Sequence, residues 1–202
     1  TQKQESTRTK SNVYEPPLKF VTSNNWMPFT DESLTGGGIF VRMAATAMQR
    51  GGNDREYTVA YVDDWMAHID TLLPSGAFDV SIAWEAPDCS KLDMLGEFSA
   101  RMCTDFDFSL PIYEAAYTFN TLPDSKYANA RSFSEYAGAK LCRPEAWPMG
   151  DLEVQGLAPP VIEVVQPKNP IDCAEMLAKG EVDIYSIETE TSVANFKELN
   201  IT

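Results

Sequence analysis

Apolar residues recur along this chain at two spacings, and the switches between them predict a series of strands and helices. Short β-rich runs at 18–22, 57–62 and 80–84 are typical of strands. Segments 39–50 and 64–73 repeat apolar residues at helical spacing, and glycine follows each of them. This strand–helix–strand–helix–strand order predicts a parallel sheet with helices on its faces and right-handed crossovers.

The second half of the chain repeats this kind of pattern after an extended aromatic run at 110–120. It predicts a helix near 132–137, a loop through 148–150 and a helix beginning near 192, together with four further elements. These four are strands at 139–143, 161–165 and 182–187, and a helix at 171–179. Residues 86–110 hold two cysteines and many charges without a clear period, so no element is predicted there.

One motif occurs once in each half. Residues 73–79 and 177–183 both read L-x-x-G-x-x-D, and each copy follows a helical pattern. Each copy then leads into an apolar run that ends at a carboxylate, Glu85 in the first half and Glu188 in the second. A repeated helix–Gly–turn–strand unit predicts two similar α/β lobes, and two lobes form a cleft in which a ligand can bind.

Composition and charge narrow the classes of partner. The 202 residues suffice for one large domain or two small ones with cores of their own. A net charge of -14 argues against nucleic acid and anionic membranes as partners, since both need a basic surface. No apolar run approaches the roughly 20 residues that span a bilayer. Residues 1–17 are polar and are expected to form a disordered tail.

The four cysteines allow three pairings if all of them are oxidised. Two lobes favour one bridge in each half, Cys89 with Cys103 and Cys142 with Cys173, which would imply an oxidising compartment. The alternative is four reduced, buried thiols in a cytoplasmic protein. Because there is no C-x-x-C pair and His68 is the only histidine, we expect neither a metal site nor a cofactor.

Several short motifs, in their order along the chain, resemble those of the extracytoplasmic solute-binding proteins of ABC importers. The resemblance is to the family 3 group in particular, which binds polar amino acids. The motifs are W-M-P-F at 26–29, G-I-F at 38–40, D-D-W at 63–65, L-P-S-G-A-F-D-V at 73–80, F-S-L-P-I-Y at 108–113, G-A-K-L-C at 138–142 and L-A-K-G-E-V-D at 177–183. A subgroup of the family also places C-R-P after a lobe 2 strand and a second cysteine in the next helix, as Cys142-Arg143-Pro144 and Cys173 do here.

The resemblance implies an α/β fold of two Rossmann-like lobes with a hinge and an interlobe cleft, the type II periplasmic binding protein fold. Lobe 1 is predicted at 18–112 and lobe 2 at 113–202, with the hinge at about 111–118. Family members run on past the point that matches Thr202, so we expect this fold without the C-terminal return to lobe 1. The implied protein is a periplasmic or otherwise extracytoplasmic monomer that is not an enzyme and that delivers a small solute to a membrane ABC permease.

The resemblance also bears on the ligand. Glu188 matches the acidic residue that holds the amino group of an amino-acid ligand in the family. The arginine that holds the ligand carboxylate follows a T-P-E turn in the family, and the matching turn here is Ala86-Pro87-Asp88-Cys89. Cys89 therefore stands where that arginine is expected, which puts the usual carboxylate clamp in question.

Ligands of α/β sheets bind beyond the carboxyl ends of the strands, so residues that follow the predicted strands are the candidates. The candidate ligand-binding residues are Trp26, Phe29, Trp65, Trp84, Glu85, Arg143, Glu145, Trp147 and Glu188. The structural alternatives are a buried loop anchor for Trp26 and Phe29, core packing for Trp65 and Trp84, an ion pair for Arg143 and a solvated strand end for Glu188. The glycines at 36–38 could offer N–H groups to an anion, although a tight turn explains them as well.

Two other functions fit the same pattern. Glu85 and Glu188 across a cleft could act as acid and base in a dehydratase-like enzyme. Alternatively, the chain could be a partner-binding module without a ligand. No G-x-S-x-G motif or cysteine–histidine pair is found, which argues against nucleophilic hydrolysis.

Overall fold

A computed structural model describes residues 14–201 and contains two sheets. The first sheet is parallel, in the order β2-β1-β3, and defines lobe 1. Its elements in chain order are β1 (Leu18–Thr22), α1 (Ile39–Arg50), β2 (Tyr57–Tyr61), α2 (Trp65–Ala67) and β3 (Val80–Ser81). A π-helical turn, His68–Leu72, continues α2. The predicted parallel sheet with intervening helices is therefore present.

A cysteine-bearing segment separates the two sheets. It contains a 3-10 helix, Cys89–Met94, then α3 (Glu97–Asp105) and an irregular stretch at 106–116. Arg101 of α3 pairs with Asp70 of lobe 1, whereas Leu95 and Ser99 lie against Gly150 of the second lobe. Because this segment contacts both lobes, the division of the chain near residue 112 and the hinge at 111–118 stay predictions.

The second sheet has the order β4-β7-β5-β6 and defines lobe 2. Strand β4 is antiparallel to β7, and the other pairs are parallel. The elements are β4 (Tyr117–Asn120), a 3-10 helix (Phe133–Tyr136), β5 (Lys140–Cys142), α4 (Gly150–Glu153), β6 (Glu163–Val165), α5 (Pro170–Ala178), β7 (Ile184–Glu188) and α6 (Thr189–Glu198). Every residue of β7 is buried, as expected of a central strand covered on both faces.

The repeated motif makes the same backbone contacts in both lobes. Asp79 accepts a hydrogen bond at Oδ2 from the N–H of Lys19 and donates its own N–H to the Lys19 carbonyl, both at 2.8 Å. Asp183 makes the same pair of contacts with Lys140, again at 2.8 Å. The motif thus fixes the register of a strand against its neighbour, which confirms the two similar lobes.

Several predictions of elements need correction. The helix predicted to begin near 192 begins at Thr189, and α3 lies within 86–110, where no element is predicted. The strand predicted at 80–84 ends at Ser81, because Ala83 adopts a left-handed conformation (φ 73°) that an extended strand cannot include. The loop predicted through 148–150 is wrong at its end, since α4 begins at Gly150. The helix predicted at 39–50 is confirmed, since α1 has the same bounds. The tail predicted at 1–17 lies largely outside the described residues.

The main core cluster is continuous between the lobes. It joins Phe20 and Phe40 of lobe 1 to Trp147 and Tyr185 of lobe 2. Both predicted disulfides are present, and Cys142–Cys173 is completely buried. In the part of the chain that the structure describes, no helix combines the length and apolar character needed to cross a membrane.

Glycines 36–38, which precede α1, form a tight turn. All three have positive φ, and a Cβ on Gly38 would lie 2.3 Å from the carbonyl oxygen of Phe29. Only glycine fits there without moving the backbone. The turn therefore accounts for these glycines without an anion.

Candidate functional site

A pocket lies between the two sheets and is walled by both lobes. The cavity is small, about 20 Å³, which is room for about one water molecule. All four tryptophans of the chain line it. The lining residues are Trp26, Trp65, Ala83, Trp84, Glu85, Tyr117, Ala146, Trp147, Pro148 and Glu188. We call this space the interlobe pocket.

Left-handed backbone turns place three of the four indoles. A residue with positive φ other than glycine stands directly before each of them. These pairs are Asn25 (φ 63°) before Trp26, Ala83 (φ 73°) before Trp84 and Ala146 (φ 65°) before Trp147. An alanine in this conformation costs about 1–2 kcal/mol, so the surrounding structure must offset that cost. Strain of this kind collects at functional sites, which supports a functional role for the pocket.

The indoles pack edge to face rather than in a stack. The ring centroids of Trp26 and Trp147, from different lobes, are 5.3 Å apart at 79°. Trp65 lies 5.6 Å from Trp26 at 87° and 5.5 Å from Trp84 at 89°. Edge-to-face contact at these distances is ordinary close packing of aromatic pairs, so the indoles occupy most of the space between the lobes. Because rings of both lobes touch, the lobes must separate to admit a ligand.

Two carboxylates meet at the hydroxyl of Tyr117. The Tyr117 oxygen lies 2.6 Å from Glu85 Oε2 and 3.2 Å from Glu188 Oε1. Tyr117 and Glu188 are direct partners across the β4–β7 ladder, which fixes the phenol beside this carboxylate. Glu85 comes from lobe 1, so the phenol joins acidic groups of both lobes.

Glu188 accepts further hydrogen bonds. Trp147 donates its indole N–H to Glu188 Oε1 at 2.9 Å, and Thr191 donates its hydroxyl to Oε2 at 3.3 Å. The Thr191 oxygen in turn accepts the indole N–H of Trp26 at 3.2 Å. Trp26 of lobe 1 is thereby linked to the carboxylate of lobe 2 through one hydroxyl.

Burial favours the protonated form of both carboxylates. It raises the pKa of Glu85 to about 7, although the hydrogen bond from Tyr117 opposes the rise. Burial also raises the pKa of Glu188, against the effect of the hydrogen bonds that its carboxylate accepts. The phenol pKa of Tyr117 lies well above its ordinary value, chiefly through burial, so Tyr117 keeps its proton and acts as a donor.

Arg143 supports the pocket from behind its wall. The side chain is completely buried, and Nη1 and Nη2 donate to the two oxygens of Asp151 at 2.5 and 3.0 Å. Nη2 also donates to Ser186 Oγ at 2.8 Å, and the guanidinium lies 4.5 Å from the ring centroid of Tyr117. Arg143 therefore forms an ion pair with Asp151, which is the structural alternative to a ligand-binding role. Arg143 does not line the pocket and instead positions Tyr117.

A second set of hydrogen bonds orients Trp84. Its indole N–H donates to Ser81 Oγ at 2.8 Å, and this hydroxyl lies 3.0 Å from Nδ1 of the buried His68. His68 Nε2 lies 2.9 Å from the carbonyl of Val62. These contacts assign the histidine hydrogen to Nε2 and leave Nδ1 as the acceptor. Burial lowers the pKa of His68, so a neutral, structural histidine fits this position.

Two other candidates lie outside the interlobe pocket. Phe29 is buried and stacks on Phe40 with centroids 4.6 Å apart, next to Trp26. Glu145 lines a neighbouring, more polar cavity of about 240 Å³ that shares Trp65 with the interlobe pocket. The other residues of this cavity are Ser23, Asn24, Asn25, Asp63, Asp64, Lys168, Asn169 and Pro170.

The structure therefore brings six of the candidates together and adds a residue that sequence reasoning missed. The six are Trp26, Trp65, Trp84, Glu85, Trp147 and Glu188. The missed residue is Tyr117, which the sequence places only in the crossover between lobes, since its pairing with β7 cannot be inferred from either strand alone. The small residues Ala83 and Ala146 gave no signal, since their left-handed conformation is not visible in their identity.

Three solved structures that share the fold are distant from this chain in sequence. Holo ArgBP from T. maritima matches with a TM-score of 0.62 and 20% identity, over 91% of this chain and 74% of that protein. The substrate-binding protein of an amino acid ABC transporter matches with a TM-score of 0.62 and 18% identity. The match covers 91% of this chain and 75% of that protein. The ancestral amino acid-binding protein AncCDT-1, a precursor of cyclohexadienyl dehydratase, matches with a TM-score of 0.64 and 15% identity, over 92% and 75%.

These matches establish the fold. The chain has the two-lobed type II periplasmic binding protein fold, as the sequence motifs predicted. No protein-family model matches the chain, and no curated protein matches it by sequence.

Proposed function

We propose that this chain is an extracytoplasmic solute-binding protein that captures a small polar solute between its lobes for an ABC importer. The solute class is an amino acid or a related amine or organic acid. The fold is shared with arginine-binding ArgBP and with the substrate-binding protein of an amino acid ABC transporter. Two disulfides agree with an oxidising, extracytoplasmic compartment.

One observation carries this proposal: the interlobe pocket takes a carboxylate from each lobe, and both meet at Tyr117. A solute bound there would contact Glu85 of lobe 1 and Glu188 of lobe 2 together. Such contacts exist only while the lobes are close, so the solute would favour the closed state. The closed pair of lobes would then be the form that a membrane permease recognises. The proposal treats the protein as a monomer.

A thermal-shift screen tests the proposal. A solute at 100 times its dissociation constant should stabilise the protein by about 2.7 kcal/mol. For a chain of this size, that corresponds to a rise in melting temperature of roughly 5–10 °C. Glu188→Gln should weaken the response, and the exposed Glu181→Gln should not. No response to any amino acid, amine, organic acid or sugar would contradict the proposal.

A second candidate is an acid–base enzyme on the same scaffold. The observation in its favour is the buried carboxyl of Glu85, whose pKa of about 7 suits general acid–base catalysis at neutral pH. AncCDT-1, which shares the fold, is a precursor of cyclohexadienyl dehydratase. Turnover of a bound solute that Glu85→Gln abolishes while binding persists would favour the enzyme. Recovery of every bound solute unchanged would favour the binding protein.

A further inference from the structure

We propose that the solute is a small organic cation, whose ammonium group lies among the four indoles and beside Glu85 and Glu188. This inference rests on the proposed function and narrows its solute class. It is carried by three features of the interlobe pocket, namely its aromatic walls, its unbalanced negative charge and its shortage of side-chain donors.

The aromatic walls are the first feature. Trp26, Trp65, Trp84 and Trp147 enclose the same space, and Tyr117 adds a fifth ring. A cation within about 6 Å of an indole centroid is attracted by the negative face of the ring, and tryptophan is the best aromatic partner. Several such faces around one space are the arrangement by which proteins hold ammonium groups.

The charge balance is the second feature. No lysine or arginine is among the residues that line the pocket. Arg143, the nearby guanidinium, is already paired with Asp151 on both of its terminal nitrogens. Among residues 14–201, neither Glu85 nor Glu188 makes a salt bridge to a basic side chain. Buried carboxylates without a cation are costly in their charged form, and a cationic ligand would supply the missing charge.

The orientation of the donors is the third feature. The indole N–H groups of Trp26, Trp84 and Trp147 are directed to Thr191, Ser81 and Glu188. The Tyr117 hydroxyl is likewise directed to the two glutamates. These side chains consequently present ring faces and acceptor oxygens to a ligand.

The neighbouring polar cavity favours the approach of a cation. Asp63, Asp64 and Glu145 line it against one lysine, Lys168. The chain as a whole carries a net charge of -14. A cleft with an excess of negative charge raises the local concentration of cations and speeds their capture.

The pocket is nearly closed in the observed conformation. Its cavity volume of about 20 Å³ holds about one water molecule, so a bound cation requires the lobes to lie further apart than in this structure.

Matched pairs of ligands test the inference by isothermal titration calorimetry. Choline is compared with its uncharged isostere 3,3-dimethylbutan-1-ol, and butylammonium with butan-1-ol. Glycine betaine, arginine and succinate extend the series to zwitterions, a cationic amino acid and an anion. We expect a cation to bind at least about tenfold more tightly than its neutral match.

Variants locate the effect. Glu85→Gln and Glu188→Gln should each reduce the preference for the cation over its neutral match, and Trp65→Leu should do the same by removing one ring face. Glu181→Gln, an exposed carboxylate outside the pocket, should leave the preference unchanged. Circular dichroism of each variant checks that it is folded before titration.

The outcomes separate this inference from the function on which it rests. Tight binding of a neutral or anionic solute, or equal affinity for choline and its isostere, would overturn the cation assignment and leave the binding function intact. Absence of binding by every class of solute would overturn both.

Discussion

Glu85 and Glu188, which follow the corresponding repeat units of the two lobes, share one hydrogen-bond partner. The Tyr117 hydroxyl lies 2.6 Å from the first carboxylate and 3.2 Å from the second. A phenol has one hydrogen, so both contacts are hydrogen bonds at once only when one of the carboxyl groups also carries a proton. This agrees with the raised pKa of both glutamates.

The stability of the ligand-free protein should therefore depend on pH through Glu85. In the unfolded chain this carboxyl ionises near 4.5, and in the folded protein its pKa is about 7. The folded state binds more protons between these values, so its stability falls as the pH rises from about 4.5 to about 7. Between pH 4.5 and 7, this fall in the free energy of unfolding should be on the order of 1–3 kcal/mol, and Glu85→Gln should abolish it. Urea unfolding at several pH values measures it, and equal slopes for both proteins would refute the assignment.

Replacing Arg143 should destabilise the fold strongly. Arg143→Met leaves the hydrogen-bonding groups of Asp151 and Ser186 without their buried partner, and we expect a loss of about 3–5 kcal/mol. Arg101→Met is the matched control, because the Arg101–Asp70 pair is partly exposed on both sides. It should cost at most about 1 kcal/mol. If chemical unfolding gave the two variants equal losses of unfolding free energy, the buried Arg143–Asp151 pair would stabilise the fold no more than the exposed pair.

Glycine should be tolerated at Ala146. The left-handed backbone there costs alanine about 1–2 kcal/mol, whereas glycine adopts it freely and pays about 0.5–1 kcal/mol in unfolded-chain entropy. Ala146→Gly should thus change stability by less than about 1 kcal/mol, on the stabilising side. Ala47→Gly within the exposed surface of α1 should cost about 1 kcal/mol. Similar destabilisation by both changes would mean that no strain is stored before Trp147.

Much of the fold could be predicted because it follows from local patterns. The helical spacing at 39–50 defines α1, and the L-x-x-G-x-x-D repeat marks the turn where Asp79 and Asp183 fix their strands. The cysteine pairing followed once two lobes were assumed. Strand β3 was predicted too long because left-handed Ala83 has the same letter as an alanine in any strand.

The site could be predicted only in part. Strand-end positions led to Glu85, Glu188 and the tryptophans, since the carboxyl ends of strands face the cleft. Arg143 follows a strand as well, but its long side chain turns into the core toward Asp151, a partner eight positions away whose role depends on α4. Tyr117 enters the site through antiparallel pairing with β7, and pairing between distant strands is not written in either strand alone.

A crystal structure of the protein with its tightest-binding solute tests the central claim most directly. The account predicts the solute in the interlobe pocket, in contact with both lobes. Its polar or charged group should lie within hydrogen-bonding or ion-pair distance of Glu188 and against the ring of Trp26 or Trp147. A solute bound to one lobe only, or at a surface away from Glu85 and Glu188, would contradict it.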